Sequence, residues 1–277
     1  MLVFLHVVDA IRRMPTGGLS TYAGLMGAAK SQASRLCSQG WVRPFVMAIA
    51  FSMVASCDMA PVQPVPQGRT FTPQVAAAKS FPLKRSDAHR CLTAQDGAPF
   101  LMHGDAAWSL IAQLDRAAAI RYLDDRKERG FNTLLINTIE HEFARAAPRN
   151  AFGELPFEKS GDFSRPNEKY FAHVDWVLER AAERGFLVLL TPAYLGYDGG
   201  KEGWYAKVRR AGPERMRMYG RYLGMRYRDS RNVIWMHGGD FDPPDRVGML
   251  ALVEGLREAA PAVMHSFHGA RGTSARA

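Results

Sequence analysis

The amino-acid sequence predicts an α/β fold of the (β/α)8 TIM-barrel type, of which residues 84–277 carry about the first five strand–helix units. Three observations lead to this prediction. Short apolar segments alternate with amphipathic helical segments along the chain. The helix-to-strand junction Glu-Arg-Gly-Phe occurs twice, at residues 128–131 and 183–186. Polar side chains recur where the predicted strands end, which is the rim that carries the chemistry of barrel enzymes.

A short β-hairpin is expected to precede the barrel units. The segments 89–94 and 99–103 flank the dipeptide Asp96-Gly97. Asp-Gly favours a tight hairpin turn, because glycine adopts the positive φ that such a turn requires. The chain after this turn is then expected to enter the first strand of the barrel.

The remaining elements follow from apolar spacing and from the residues that begin and end helices. Asp115 is expected to cap the first helix, and a polar insertion over residues 144–166 precedes the second. The predicted helices end at Gly130, Gly185, Tyr227 and Ala260. Each leads into an apolar segment that is typical of a strand buried on both faces. These strands are residues 131–139, 186–191, 232–237 and 263–267.

Five strands and four intervening helices fit either an open parallel sheet or the first five units of a barrel, since eight units need about 250 residues. The polar side chains favour the barrel, because they follow successive strands at the same end. They are His103, Asp105, Trp108, Asn137, Glu140, His141, Glu142, Tyr194, Tyr197, Asp198, His237, Asp240, His265 and His268.

Composition excludes several classes of protein. A hydrophobic content of 47% and a charged content of 23% over 277 residues exclude a disordered, collagenous or fully membrane-embedded chain. The net charge of +9 is spread thinly, so no nucleic-acid partner is expected. The three cysteines cannot form a disulfide framework. No glycine-rich phosphate-binding loop follows any predicted strand. We therefore expect no nucleotide cofactor.

The first part of the sequence has the pattern of a lipoprotein signal. Arg43 precedes an apolar run over residues 44–54, and the tetrapeptide Val-Ala-Ser-Cys ends at Cys57. We therefore predict a signal peptide over residues 42–57, lipidation of Cys57 and a Pro/Gln-rich tether over residues 58–83. Residues 1–41 are expected to lie upstream of the true start at Val42. The protein would then be exported and anchored to a membrane.

Four motifs resemble the apiosidase-like family of bacterial glycoside hydrolases, and together they extend the resemblance over about residues 84–277. That family is a (β/α)8 barrel, often secreted or lipid-anchored, and often joined to a small C-terminal domain described as collagen-binding. The motifs are Pro-Phe-Leu-Met-His-Gly-Asp-Ala-Ala-Trp at 99–108, Arg-Gly-Phe-Asn-Thr-Leu-Leu-Ile-Asn at 129–137, Asn-Val-Ile-Trp-Met-His-Gly-Gly-Asp at 232–240 and Ser-Phe-His-Gly at 266–269.

The resemblance implies retaining hydrolysis of a glycosidic bond, with Asp240 as the acid/base residue. It also implies that Asp105 and Trp108 bind sugar at the floor of the −1 subsite and that His268 adds a further contact. The family's second carboxylate follows about the seventh strand, so the chain is expected to be C-terminally truncated and inactive as a fragment. Strand-end position adds further candidate substrate contacts, namely Asn137, Glu140, Tyr194 and His237.

Local sequence is consistent with an acid at Asp240. Two glycines before Asp240 leave room for a sugar, and Trp235 and His237 flank the position. Partial desolvation in such a place raises a carboxyl pKa towards the value that a proton donor needs. The structural alternative is that Asp240 caps the turn formed by residues 241–244.

Two other functions remain open at this point. A tethered barrel fragment could hold glycans without cleaving them, as a non-catalytic carbohydrate-binding surface lipoprotein. A metal-dependent barrel hydrolase is the other alternative, because histidine and carboxylate side chains at strand ends are potential zinc ligands. The side chains that this alternative uses are His103, Asp105, His237, His265 and His268.

Lipidation of Cys57 predicts where the protein is found in a bacterial host. We expect membrane-associated wild-type protein whose processed N-terminus is Cys57, since the peptidase cleaves before the lipidated cysteine. Cys57→Ala should accumulate in an unprocessed form, whereas Cys91→Ala, the matched control, should be processed normally. Membrane fractionation and mass spectrometry of the N-terminus make the comparison. Uncleaved wild-type protein that retains residues 42–56 would contradict the prediction.

Overall fold

The computed structural model describes residues 80–87 and 91–273. The upstream segment 1–41, the signal peptide 42–57 with Cys57, and residues 58–79 of the tether lie outside the described residues. Within the described part, no helix is both long enough and apolar enough to cross a membrane.

Five parallel strands form one sheet whose spatial order equals their order in the sequence. Numbered from the N-terminus of the described part, these strands are β4 Gly104–Ala106, β5 Thr133–Asn137, β6 Leu187–Thr191, β7 Val233–Gly238 and β8 His265–His268. Their order β4-β5-β6-β7-β8 confirms the predicted barrel-type arrangement, because a doubly wound open sheet would reverse about a switch point. Within the described residues, β8 pairs with β7 alone.

Five helices connect these strands, and their ends follow local sequence. The Asp115 carboxylate accepts a hydrogen bond from the Ala118 amide at 2.8 Å, which confirms the predicted N-cap. Gly212, with φ of 79°, kinks the fourth helix and lets it begin before the predicted start at Pro213. The helix bounds are α1 Leu110–Gln113, α2 Arg116–Glu128, α3 Glu168–Glu183, α4 Tyr205–Tyr227 and α5 Val247–Ala259.

The two faces of the parallel sheet bury different clusters. Side chains alternate between faces along each strand, and the helices cover one face. The other, here called the inner face, corresponds to the interior of a barrel. Helix-facing positions include Leu134, Ile136, Val188, Leu190, Val233 and Trp235. Inner-face positions include Leu135, Leu187, Leu189 and Ile234.

A small antiparallel sheet closes off the apolar part of the inner face. Its strands are β1 Lys84–Arg85, β2 Leu92–Thr93 and β3 Pro99–Phe100, in the order β1-β2-β3. The pair β2–β3 is the predicted hairpin, with Gly97 at φ of 86° in its turn. Strand β1 adds a third strand that the sequence did not predict.

Two predicted boundaries need correction. Phe81 and Leu83, placed at the end of the tether, are 6% and 5% exposed because they pack into the inner-face cluster. The packed domain therefore begins before residue 84. The motif at 99–108 is also not one strand, since Pro99–Phe100 belongs to the antiparallel sheet and Gly104–Ala106 to the parallel one. The residues between them carry the chain from one sheet to the other.

Candidate active site

Backbone hydrogen bonds continue beyond the strand ends and fix the loops at the carboxyl edge of the sheet. The amide of Asn137 donates to the Trp108 carbonyl at 3.0 Å, and that of Thr138 donates to the Thr191 carbonyl at 2.9 Å. Towards β8, the Leu195 amide donates to the Gly238 carbonyl at 3.1 Å, and the Gly239 amide donates to the His268 carbonyl at 2.8 Å. All five strand ends are thereby held in one register.

Asp240 lies directly after β7 at this edge, and two side chains from neighbouring strand ends contact its carboxylate. The Tyr194 hydroxyl donates to Oδ2 at 3.0 Å, and Nε2 of His268 lies 3.2 Å from Oδ1. The Asp240 side chain keeps 44% of its surface exposed, so a ligand can still reach it. Burial and the neighbouring Asp240 charge raise the pKa of Tyr194, so its hydroxyl stays protonated and donates at neutral pH.

The backbone before Asp240 allows this close approach only because it carries two glycines. Gly238, Gly239 and Asp240 all have positive φ, at 88°, 129° and 47°. A Cβ atom on Gly239 would lie 2.2 Å from the Tyr194 ring, and one on Gly238 would lie 2.5 Å from the His268 carbonyl oxygen. The two glycines therefore let Tyr194 and His268 converge on the carboxylate that follows.

Trp108 completes a ring of aromatic side chains around this carboxylate. Its indole stacks on the His268 imidazole at 5.8 Å between centroids and lies 5.2 Å from the Tyr194 ring. Half-buried between the inner-face cluster and the rim, Trp108 forms the floor of the site. We name the group Asp240, Tyr194, His268 and Trp108 the acid cluster.

A family model described as "Apiosidase-like, catalytic domain" matches residues 86–277. The chain belongs to this apiosidase-like family. The match covers the parallel sheet, strands β2 and β3 of the antiparallel sheet, all five helices and the acid cluster. It confirms the family that the four sequence motifs indicated. Among curated proteins, none matches the chain.

Solved structures similar to this apiosidase-like chain are glycoside hydrolases. A glycoside hydrolase family 5 protein from Bacteroides vulgatus aligns with a TM-score of 0.59 and 24% identity over 69% of this chain and 40% of that one. A second glycoside hydrolase aligns with a TM-score of 0.57 and 24% identity over 73% of this chain and 43% of that one. A family 5 mannosidase from Rhizomucor miehei aligns with a TM-score of 0.52 and 12% identity over 69% of this chain and 56% of that one. This chain thus spans less than three fifths of each of these structures, and the likeness shows a shared barrel-type fold.

Asp105 does not lie in the acid cluster, which corrects its predicted role as a sugar contact. In the sheet register Asp105 pairs with Leu134, so its side chain faces the helices. There the carboxylate accepts a hydrogen bond from the Tyr122 hydroxyl at 2.8 Å and forms an ion pair with Arg126, both on α2. Asp105 therefore joins the first strand to the first long helix.

His237 is also on the helix-facing side and does not contact the acid cluster. Its Nε2 lies 2.8 Å from Nδ1 of His265, and the two imidazoles stack at 5.1 Å between centroids. His237 follows Trp235 by two residues and therefore shares its face of the sheet. The prediction that His237 contacts substrate is wrong, because only 6% of its surface is exposed.

Glu140 and Asn137 are closed to substrate as well, since each is 2% exposed. The Glu140 carboxylate accepts hydrogen bonds from Ser109 Oγ at 2.9 Å and from the His141 amide at 2.8 Å. Nδ2 of Asn137 lies 3.4 Å from the same carboxylate. Burial raises the pKa of Glu140, although these hydrogen bonds oppose the shift. Both residues were predicted to contact substrate. In the structure they instead form buried hydrogen bonds that stabilise the rim of the sheet.

Of the side chains of the metal-hydrolase alternative, His237 and His265 contact each other, and the rest are engaged elsewhere. His103 stacks on Phe131 at 4.4 Å, and His268 belongs to the acid cluster. Asp105 is engaged by α2, as described above. Among the described residues, no group of three or more histidine, cysteine, aspartate or glutamate side chains is arranged to hold a metal ion.

Phe143 is a residue near the site that the sequence analysis missed. Its ring lies 6.0 Å from the Tyr194 ring, and 53% of its surface is exposed. A phenylalanine four positions after an apolar strand gives no signal that separates an exposed ring from a core one. Its position became apparent only from the folded loop.

The buried histidine pair predicts how stability responds to acid. Burial lowers the pKa of His237 to about 3 and that of His265 to about 4, and the positive charge of Arg257 adds to both shifts. Unfolded histidine takes up a proton near pH 6.5. Between pH 6.5 and pH 4 the unfolded state therefore binds more protons, so the free energy of unfolding should fall as pH falls.

We expect His237→Leu to flatten this decline by up to about 1.4 kcal/mol per pH unit, because one of the two coupled protonations is removed. Met236→Leu, an uncharged change at the neighbouring position, should keep the wild-type slope. Urea unfolding between pH 4 and pH 7 measures the three slopes. If His237→Leu keeps the wild-type slope, the loss of stability in acid does not come from the His237–His265 pair.

Proposed function

We propose that this chain forms the acid/base half of the active site of a retaining glycoside hydrolase, with Asp240 as the proton donor. The observation that carries the proposal is the acid cluster. One partly exposed carboxylate at the carboxyl end of a barrel strand is held by Tyr194 and His268 beside the indole of Trp108. Membership of a family of glycosidase catalytic domains supports the same chemistry.

A different side chain contacts each of the two oxygens of Asp240. Oδ2 accepts from Tyr194, whose hydroxyl stays protonated, so this bond fixes the orientation of the carboxyl group. Nε2 of His268 lies 3.2 Å from the other oxygen, Oδ1. General acid catalysis needs this kind of fixed donor within reach of the leaving-group oxygen. The aromatic floor at Trp108 suits the apolar face of a sugar ring.

A retaining mechanism needs a second carboxylate about 5–5.5 Å from the first. Glu140 is unsuited to this role, because it is 2% exposed and its carboxylate accepts hydrogen bonds from protein groups. We propose that the nucleophile comes from a later strand that the longer relatives contain. The 277-residue chain would then bind carbohydrate without cleaving it. In this respect it would behave as the non-catalytic carbohydrate-binding alternative expects.

The substrate we propose is a complex glycan, and apiosides are the first sugars to test because the family takes its name from an apiosidase. The lipidation pattern at Cys57 supports export and a membrane anchor, since a secreted or surface-anchored hydrolase meets its polymeric substrate outside the cell. No cofactor is part of the proposed chemistry. The proposed partners are therefore a carbohydrate and a lipid membrane.

Replacing the acid tests the proposal in a chain extended through the remaining strand–helix units of its longer relatives. Asp240→Asn should lower kcat/KM on apiosides with poor leaving groups by about 10²- to 10⁴-fold, because the proton donor is lost. Aryl apiosides, whose leaving groups need little protonation, should be affected less. Asp242→Asn, two residues away and outside the acid cluster, is the matched control and should stay active.

The 277-residue chain itself should show no turnover of these substrates. Activity in the 277-residue chain that Asp240→Asn leaves intact would contradict both the acid assignment and the missing nucleophile. Equal loss on aryl and alkyl apiosides would contradict the proton-donor role alone.

A further inference from the structure

Phe143 is an exposed aromatic ring beside the acid cluster that the proposed chemistry does not use. It lies in the insertion between β5 and α3, and 53% of its surface faces solvent. Its ring centroid is 6.0 Å from that of Tyr194, whose own ring lies 5.2 Å from Trp108. Three aromatic rings, Trp108, Tyr194 and the exposed Phe143, therefore lie next to one another at the site.

The loop that carries Phe143 is held from below by Glu140. The carboxylate of Glu140 accepts a hydrogen bond at 2.8 Å from the backbone amide of His141, two residues before Phe143. Ser109 Oγ donates to the same carboxylate at 2.9 Å, which ties the loop to the end of β4. The Phe143 ring is thus presented by a fixed backbone although its side chain is exposed, and preorganisation of this kind lowers the entropic cost of binding.

The position of Tyr194 indicates which part of a substrate would meet Phe143. Tyr194 binds the Asp240 carboxylate, and an acid/base residue faces the oxygen that joins the cleaved sugar to its leaving group. Phe143 lies against the same Tyr194 ring, at 6.0 Å between centroids, and is therefore near that oxygen. Aromatic rings bind the apolar faces of sugars, which carry several C–H groups on one side.

We propose that Phe143, supported by Tyr194 and anchored through Glu140, binds the sugar ring on the leaving-group side of the bond that Asp240 protonates. This inference rests on the proposed function and adds a preference for substrates that carry a second sugar ring over simple alkyl glycosides. Glu140 is a positioning residue in this account, because it acts through the backbone of the Phe143 loop.

Calorimetric titration of the 277-residue chain with methyl β-D-apiofuranoside and with apiosylglucose tests the inference. Phe143→Ala should weaken binding of apiosylglucose about 3- to 10-fold, the size of one aromatic stacking contact, and leave methyl apioside unchanged. Phe143→Trp should restore the preference for apiosylglucose. Phe152→Ala is the matched control, since Phe152 is 52% exposed on the same insertion but contacts His173 instead of Tyr194.

The possible outcomes separate the inference from the function on which it rests. If the wild-type chain binds both probes and Phe143→Ala binds them as well as wild type, the role of Phe143 is overturned and the proposed function stands. Equal weakening of both probes by Phe143→Ala also overturns it, because the residue would then act on the site as a whole. If the wild-type chain binds neither probe, the apioside function fails and the inference fails with it.

Discussion

The register of the parallel sheet is the constraint on which the candidate site depends. Backbone hydrogen bonds do not stop at the last strand residue but continue from Trp108 to Asn137, from Thr138 to Thr191, from Leu195 to Gly238 and from Gly239 to His268. Side chains that are far apart in the sequence therefore meet at one edge. The contact of Tyr194 with Asp240 spans 46 positions of sequence and is made by this register.

Alternation of side chains decides which polar residues reach the site. His268 lies opposite Gly238 in the sheet and points to the inner face, whereas His237, one position earlier than Gly238, points to the helices. The Asp105 side chain also points to the helices, where it accepts a hydrogen bond from Tyr122 on α2. A shift of one residue thus separates a member of the acid cluster from a structural histidine.

Sequence reasoning predicted the strand order, the Asp115 cap and the location of Asp240 at a strand end, because periodicity and turn chemistry are local signals. It could not predict which face Asp105 and His237 occupy, since strands buried on both faces show no alternation of polar and apolar residues. It also missed β1, which has two residues and an exposed, charged sequence. Phe143 was missed for a third reason, because exposure of an aromatic ring depends on how a long insertion folds.

The proposed function requires the acid cluster to face the glycosidic bond. A crystal structure of the chain carrying Asp240→Asn with bound apiosylglucose tests it most directly, because the substitution keeps the shape of the side chain. We expect the glycosidic oxygen at about 2.6–3.2 Å from the side chain at position 240, with the apiose ring against Trp108. A sugar bound elsewhere on the chain, or bound at the rim with its glycosidic oxygen turned away from position 240, would contradict the claim.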